Sequence, residues 1–414
     1  MSPRAPILVH CQHVLGVGHL QRTARLVHAL REAGETVLLV TGGLPVPGLD
    51  LGGVEEIALP PLTAGDEAAS RLVRPDGQAP DEAYLATRRT RLLEVLAARD
   101  PAVVVLELFP FGRHALAFEL SPLLLAVADD RARRGARAPR VVVSLRDILV
   151  SKKNRPWYEA TVLAMVRQWV DRVLVHGSPD VVPLSRTFGL ADRLGGALVY
   201  TGYLGPVPRR PEGIVPHGEI VVSAGGGRVA GPFLRAALSA RSRAAAAAAR
   251  PWRLLTGPHL PDEARHELLT LAQACPPLSG GPAVLVESFR PDLVALLEGA
   301  ALSVSQAGYN TVLDILASGV RAIVVPFEAS GDEQALRARL FAARGLFRVV
   351  EEGEDLPGRL AAAMEAALAA PARPATLAID LGGAARARAF LTKMGDPVIA
   401  ARRDARGAGQ SRRR

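Results

Sequence analysis

The residues best suited to chemistry begin at a short apolar run. Ile7–Cys11 passes into His13, Val14, Leu15, Gly16, Val17, Gly18, His19, Leu20, Gln21 and Arg22. Gly16 and Gly18 let the backbone turn tightly and approach a ligand. A helix is expected to open near His19, offering free amides to an anion or a polar group. An imidazole at that place can accept a proton, and the positive helix end favours its neutral form. The same residues also fit a plain strand–helix turn with a surface histidine. Glu107 closes a second apolar run, followed by Leu108, Phe109, Pro110, Phe111 and Gly112. A carboxylate leaving a buried strand there can assist proton transfer or hold a sugar hydroxyl. An ion pair with Arg113 or another arginine is the alternative. Arg146, Asp147 and His176 occupy similar positions and read as ion pairs or caps.

The second half holds the ligand-gripping patterns. Val221, Val222 and Ser223 lead into Ala224, Gly225, Gly226, Gly227 and Arg228, a loop whose amides suit a diphosphate. No Gly-Lys-Ser/Thr follows, so it is not a P-loop, and the full dinucleotide glycine spacing is missing. Ser305, Gln306, Ala307, Gly308, Tyr309, Asn310, Thr311 and Asp314 read as strand, glycine turn and short helix closed by Gly319. The amides near Asn310 and Thr311 suit a phosphate, and Asp314 suits ribose hydroxyls. Thr311 as a helix cap, with Asp314 imitating a capping box, is the structural alternative. Glu333 and Gln334 can grip sugar hydroxyls at a further helix start. Ser330 and Glu333 also form a capping-box pattern, which leaves Gln334 without a structural role in the sequence.

These positions need a scaffold, and the pattern supplies one. Apolar runs at 7–11, 37–41, 54–58, 103–108, 141–145, 173–176 and 198–202 alternate with helical stretches such as 20–33 and 83–98. Runs apolar at every position mark strands buried on both faces, and strand–helix alternation marks a doubly wound parallel sheet. A proline-rich stretch at 205–218 follows, and the alternation restarts at 220–223, 254–256, 284–287, 302–305, 322–326 and 347–350. The expectation is therefore two α/β domains, 1–204 and 219–395, with a linker at 205–218 and an arginine-rich disordered tail at 396–414. Ligands of such sheets lie beyond the carboxyl ends of the strands, here in a cleft between facing domains.

Composition narrows the partners. The 414 residues are 49% hydrophobic, which excludes a disordered chain. The net charge of +9 is misleading: residues 401–414 carry six arginines and one aspartate, so more than half sits in the tail. With aromatics at 4%, stacking platforms for single-stranded nucleic acid are few. Specific nucleic-acid binding is not expected. The two cysteines, Cys11 and Cys275, show no metal or redox spacing and read as free thiols in a reducing compartment. With neither a signal peptide nor a run long enough to span a bilayer, a cytoplasmic protein is expected, with peripheral contact at the inner membrane face left open.

Taken together, these motifs resemble nucleotide-sugar glycosyltransferases of the GT-B fold, of the family 28 type. That family includes the N-acetylglucosaminyltransferase acting on the lipid-linked peptidoglycan precursor. The strongest stretch runs from 289 to 334. The likeness is especially to a bacterial branch marked by H-x-x-G-x-G-H-x-x-R, ELFPFG and SLRDILV. The resemblance implies two Rossmann-like domains and assigns roles. Phe289 and the backbone of Arg290 receive uracil, and Gly308, Asn310 and Thr311 form the diphosphate turn. Asp314 stands for a glutamate that holds ribose, and Glu333 with Gln334 stands for a Gln-Gln pair on the donor sugar. Gly16, Gly18 and His19 match the glycine loop of the first domain. Asp314, Glu333 and Arg337 depart from the family pattern, which unsettles the donor sugar.

The implied reaction moves a hexose or N-acetylhexosamine from a nucleotide sugar, with UDP the expected carrier, to a hydroxyl acceptor. The acceptor is left open between lipid-linked and small molecules. His19 or Glu107 serves as base, and Gly225, Gly226 and Gly227 help to hold the departing diphosphate. No pair of aspartates has D-x-D spacing, so no metal and no cofactor beyond the donor is expected. A hydrolase or epimerase of the same fold, or a nucleotide-sugar-binding protein without catalysis, are the competing readings.

Overall fold

The computed structural model describes residues 4–14, 17–46, 48–65, 71–206, 216–278, 283–327, 332–371 and 379–396. The chain divides into two units: Met1–Leu15, His19–Leu204 and Gly382–Arg414 in the first, Gly205–Leu381 with Gly16–Gly18 in the second. Each is built on one parallel sheet, as the alternation of apolar runs requires.

The first sheet holds β1 (Ile7–Cys11), β2 (Val37–Thr41), β3 (Glu55–Ala58), β6 (Val103–Glu107), β7 (Arg140–Arg146), β8 (Arg172–His176) and β9 (Leu198–Tyr200). A small hairpin, β4 (Thr63–Ala64) with β5 (Leu72–Val73), stands apart and had no signal in the apolar pattern. The order is β3-β2-β1-β6-β7-β8-β9, with every neighbour parallel. Side chains alternate between faces. Ile7, Val9, Val103 and Val105 pack with Leu26 and Leu30 of α1 (Gly18–Glu32). Leu8, Val104 and Leu106 pack on the other face with Leu92 of α2 (Glu82–Arg99) and Leu120 and Leu124 of α3 (Ala117–Arg134). Helix α4 (Arg155–Trp169) connects β7 to β8.

The second sheet holds β10 (Ile220–Ser223), β11 (Trp252–Leu255), β12 (Val284–Glu287), β13 (Leu302–Gln306), β14 (Ala322–Val325) and β15 (Arg348–Val349), in the order β12-β11-β10-β13-β14-β15. Its helices are α5 (Gly231–Arg241), α6 (Ala245–Ala248), α7 (Asp262–Gln273), α8 (Leu293–Glu298), α9 (Tyr309–Ser318), α10 (Asp332–Ala342) and α11 (Leu356–Ala369). The last helix, α12 (Gly383–Met394), departs from the expected boundary at 395. Its Ala387 and Leu391 lie in the core of the first sheet, beside Val9 and Val103. Backbone bonds fix it there: Gly383 N donates to Tyr203 O at 2.9 Å, and Leu204 bridges Gly382.

In both sheets the strand order reverses at the first strand, between β1 and β6 and between β10 and β13. At such a switch point the loops leave toward opposite faces and open a crevice at the carboxyl ends. His19 follows β1 and Glu107 ends β6. The Gly225–227 loop follows β10 and Gly308 follows β13. The expected motifs therefore sit at the two switch points. The arginine-rich tail and most of the proline-rich linker (207–215) lie outside the described residues.

Candidate functional site

In the first unit, the turn after β1 delivers His19 to the first turn of α1, beside the last residue of β6. His19 Nδ1 lies 2.8 Å from Glu107 Oε1. The same oxygen accepts from Arg22 Nη2, one helical turn beyond His19. Arg113 Nε stands 3.9 Å from Glu107 Oε2. The Glu107 side chain is 1% exposed and that of Arg22 3%, whereas His19 keeps 19%. Burial opposes the charge on Glu107, but the pairing with His19 and the guanidiniums of Arg22 and Arg113 hold its carboxyl well below the usual range. Burial pushes His19 down as well. Glu107 works against that shift, while Arg113 and Arg146 add to it. An anionic Glu107 can only accept, so Nδ1 carries the proton and Nε2 presents a lone pair. The arrangement is a neutral imidazole, oriented by a buried carboxylate and able to take a proton. The ion-pair alternative for Glu107 holds too: it pairs with arginine and with His19 at once.

Next to this pair, His176 at the end of β8 lies between Ser144 Oγ (2.8 Å) and Thr201 Oγ1 (2.9 Å). It is fully buried, and burial lowers its pKa. Those two hydroxyls hold its ring in place. Underneath, Arg88 of α2 makes a two-pronged bond to Glu119 of α3, both contacts at 2.8 Å, and reaches Gln12 Oε1 at 3.0 Å. Gln12 in turn donates to the carbonyls of His13 and Leu62. This network anchors Gln12 and His13, just after β1. Sequence reading missed it because its members lie on four separate elements. Gly16 falls outside the described residues; Gly18 is the first residue of α1.

In the second unit, Gly308 is the N-cap of α9, and no side chain caps it, so Thr311 is not the cap. The first amides of a helix have no partner within it. Asn310 is 7% and Asp314 3% exposed, and Thr311 is half-buried. Gln306, ending β13, is 8% exposed, and its Nε2 has no hydrogen-bond partner among the described residues. Nothing in the sequence signals that orphaned donor, since strand-end position alone does not reveal partners.

The Gly225–227 loop packs against the turn after β11. A Cβ on Gly227, at φ +89°, would meet Thr256 O at 2.3 Å. Gly225 and Gly226 are exposed and half-buried, and His259 N donates to Gly226 O at 3.1 Å. Gln334 does have a structural role: its Oε1 accepts from Ala307 N (3.0 Å) and Phe327 N (3.1 Å), tying the turns after β13 and β14. Glu333 accepts from Arg337 Nη2 at 2.7 Å, and Arg337 reaches Ala307 O at 3.0 Å and lies over the Tyr309 ring. Arg337 thus secures the same turn as Gln334. Ser330 lies outside the described residues, so the capping box goes undescribed. Phe289 and Arg290 follow β12, both half-buried, and the Arg290 guanidinium is engaged by Asp292 through two 2.8 Å bonds.

Cys11 and Cys275 are free, and burial pushes the Cys11 thiol up to about 12, which makes it inert. Among the described residues no group of three or more His, Cys, Asp or Glu is placed to hold a metal ion. Among them, too, no helix is long and apolar enough to cross a membrane.

Residues 220–389 match the glycosyltransferase family 28 C-terminal domain. A UDP-N-acetylglucosamine–N-acetylmuramyl-(pentapeptide) pyrophosphoryl-undecaprenol N-acetylglucosamine transferase of Methylobacterium sp. (strain 4-46) is 36% identical over 121 residues, 29% of this chain. That match spans 32% of the relative's length, so it concerns a part of that enzyme. Among solved structures, MurG of Acinetobacter baumannii superposes with a TM-score of 0.57 at 14% identity, covering 94% of this chain and 99% of its own. CalG4, the calicheamicin glycosyltransferase, gives 0.55 at 17% identity, covering 99% of both chains. At these identities the likeness establishes the fold: GT-B, with two Rossmann-like domains.

Proposed function

We infer, from a chain of the GT-B fold whose residues 220–389 match the glycosyltransferase family 28 C-terminal domain, that this protein is a glycosyltransferase. It takes a hexose or N-acetylhexosamine from a nucleotide sugar, with UDP as carrier, and transfers it to a hydroxyl acceptor. The observation that carries the reading is that domain match, because it covers the second switch point with its glycine turn and uncapped helix. The curated relative named above uses UDP-N-acetylglucosamine, which supports the choice of UDP.

The donor's diphosphate lies at the amino terminus of α9, within reach of Gly308, Asn310 and Thr311. The buried Nε2 of Gln306 is a donor that an anion there would satisfy. Exposed Gly225 and half-buried Gly226 supply further amides. Phe289 and the backbone of Arg290 receive the base, and Asp314 the ribose. Gln334 holds the floor of the site through its carbonyl and keeps its amide nitrogen for the sugar. Helix dipole and amides offset the charge on the departing diphosphate, so the reaction proceeds without a bound metal.

The acceptor binds in the first unit. His19 Nε2 takes the proton from its hydroxyl while the oxygen attacks the anomeric carbon. Glu107 holds the imidazole by Nδ1 and stabilises the cation that forms, as an orienting carboxylate does. A lipid-linked hydroxyl, as the curated relative's name describes, is the acceptor class this reading favours.

The test is His19→Ala. It should abolish turnover while leaving the dissociation constant for UDP, measured by calorimetry, within about twofold. Retained turnover would remove His19 from the mechanism.

A further inference from the structure

We propose that Arg22 is a positioning residue for the base: by sharing Glu107 Oε1 with His19, it keeps the carboxylate anionic and aimed at Nδ1, so that Nε2 alone is left to take the acceptor's proton. The proposal rests on the glycosyl-transfer reading and adds a residue to it.

Arg22 lies three positions after His19 on α1, on the same face. Its guanidinium is buried and meets the same carboxylate oxygen that His19 reaches at 2.8 Å. A lone buried carboxylate beside an imidazole would do more than orient it. It would draw a proton onto the ring and hold it as imidazolium, which cannot act as a base. Arg22 removes that pull while leaving the hydrogen bond in place.

The other groups around the pair act in the same sense or are silent. Arg113, from the turn after β6, faces Oε2 at 3.9 Å. Arg146, at the end of β7, also disfavours a charged His19. His176, at the end of β8, has both ring nitrogens occupied by Ser144 and Thr201. Cys11 of β1 keeps its proton. Arg22 is the guanidinium in direct contact with the shared oxygen, so its removal takes from the carboxylate the cation that touches it.

The sign follows. Without the Arg22 charge, Glu107 favours the imidazolium more strongly and the His19 pKa rises. Neutral base is then lost at a higher pH. In Arg22→Gln the acid limb of kcat/KM should move up by at least one pH unit. The extra loss approaches about tenfold only at pH values below the wild-type limb, and disappears at pH 8. Arg22→Lys keeps the charge and should keep the wild-type limb. A profile for Arg22→Gln that superimposes on the wild type after scaling would overturn the proposal and leave Arg22 a structural ion pair.

Titration of His19 by NMR in the full chain gives a readout without substrate. The ring should titrate below the ordinary imidazole value of about 6.5 in wild type and in Arg22→Lys, and higher in Arg22→Gln. A wild-type His19 that titrates at or above the ordinary value would also overturn the proposal, even if Arg22→Gln does not fold. If no donor is turned over, the transfer reading fails, and the titration still decides whether Arg22 sets the protonation of His19.

Discussion

Replacing Glu107 with glutamine tests the division of labour between base and orienter. An amide at 107 can keep its oxygen where Oε1 now accepts from both His19 and Arg22. Geometry then survives and charge does not. At about 4 Å between charge centres and an effective dielectric of about 20, the carboxylate stabilises an imidazolium by about 4 kcal/mol. Arg22 and Arg113 offset part of this, and the proton is only partly transferred at the transition state. About half the full value, or about 2 kcal/mol, is therefore expected, a fall of about 30-fold in kcat/KM with an upper bound of about 1000-fold. Glu107 lies in the first unit, so UDP affinity should not change. The assay is steady-state release of nucleotide across acceptor concentrations, with UDP titrated calorimetrically and folding checked by circular dichroism. A loss below about threefold, or a loss seen wholly as weaker UDP binding, would refute the role given to Glu107.

Other predictions concern the scaffold. Gly227→Ala places a Cβ 2.3 Å from Thr256 O at a positive φ, and should cost at least about 1–3 kcal/mol in chemical denaturation. Gln334→Met removes the acceptor of two loop amides, and should cost about 1–3 kcal/mol and weaken UDP binding, read by denaturation and calorimetry. Arg88→Met removes both hydrogen bonds from the fully buried Glu119 and should destabilise the first unit by about 3–5 kcal/mol, followed by loss of hydrogen-exchange protection in β1. Burial raises the Glu119 pKa, but His10, at 3.6 Å, and the hydrogen bonds of Arg88 outweigh it and lower the value. Its contribution is thus complete above the unfolded carboxylate value and disappears as pH falls through the native one. A melting temperature that does not fall from pH 5 to pH 3 would contradict this.

Much of the fold was legible because strands buried on both faces read as unbroken apolar runs. β1 and β10 were placed to the residue, and β6 ended one residue earlier than its run. The sequence put His19 and Glu107 each at the carboxyl end of a strand, and the folded sheet brings the two together across 88 positions of sequence. Helix α12 was placed with the wrong sheet because an amphipathic period shows that a helix has an apolar face, not which core that face meets. The partners of Glu107 were harder. Arg113 was named as a candidate, but Arg22 only as the end of the run that follows β1. Gln334 looked free of structural duty because its two amide partners lie 27 and 7 positions away, on turns whose approach only the folded sheet creates.

The central claim is glycosyl transfer, and mass spectrometry of the products tests it most directly. The purified chain would meet UDP-, dTDP- and GDP-sugars, each with and without a lipid and small-molecule extract. The account predicts UDP release that depends on the extract, with a new species heavier than an extract component by one sugar residue, and neither with His19→Ala. Release of UDP and free sugar in buffer alone, at the same rate as with extract, would contradict it and make the protein a hydrolase.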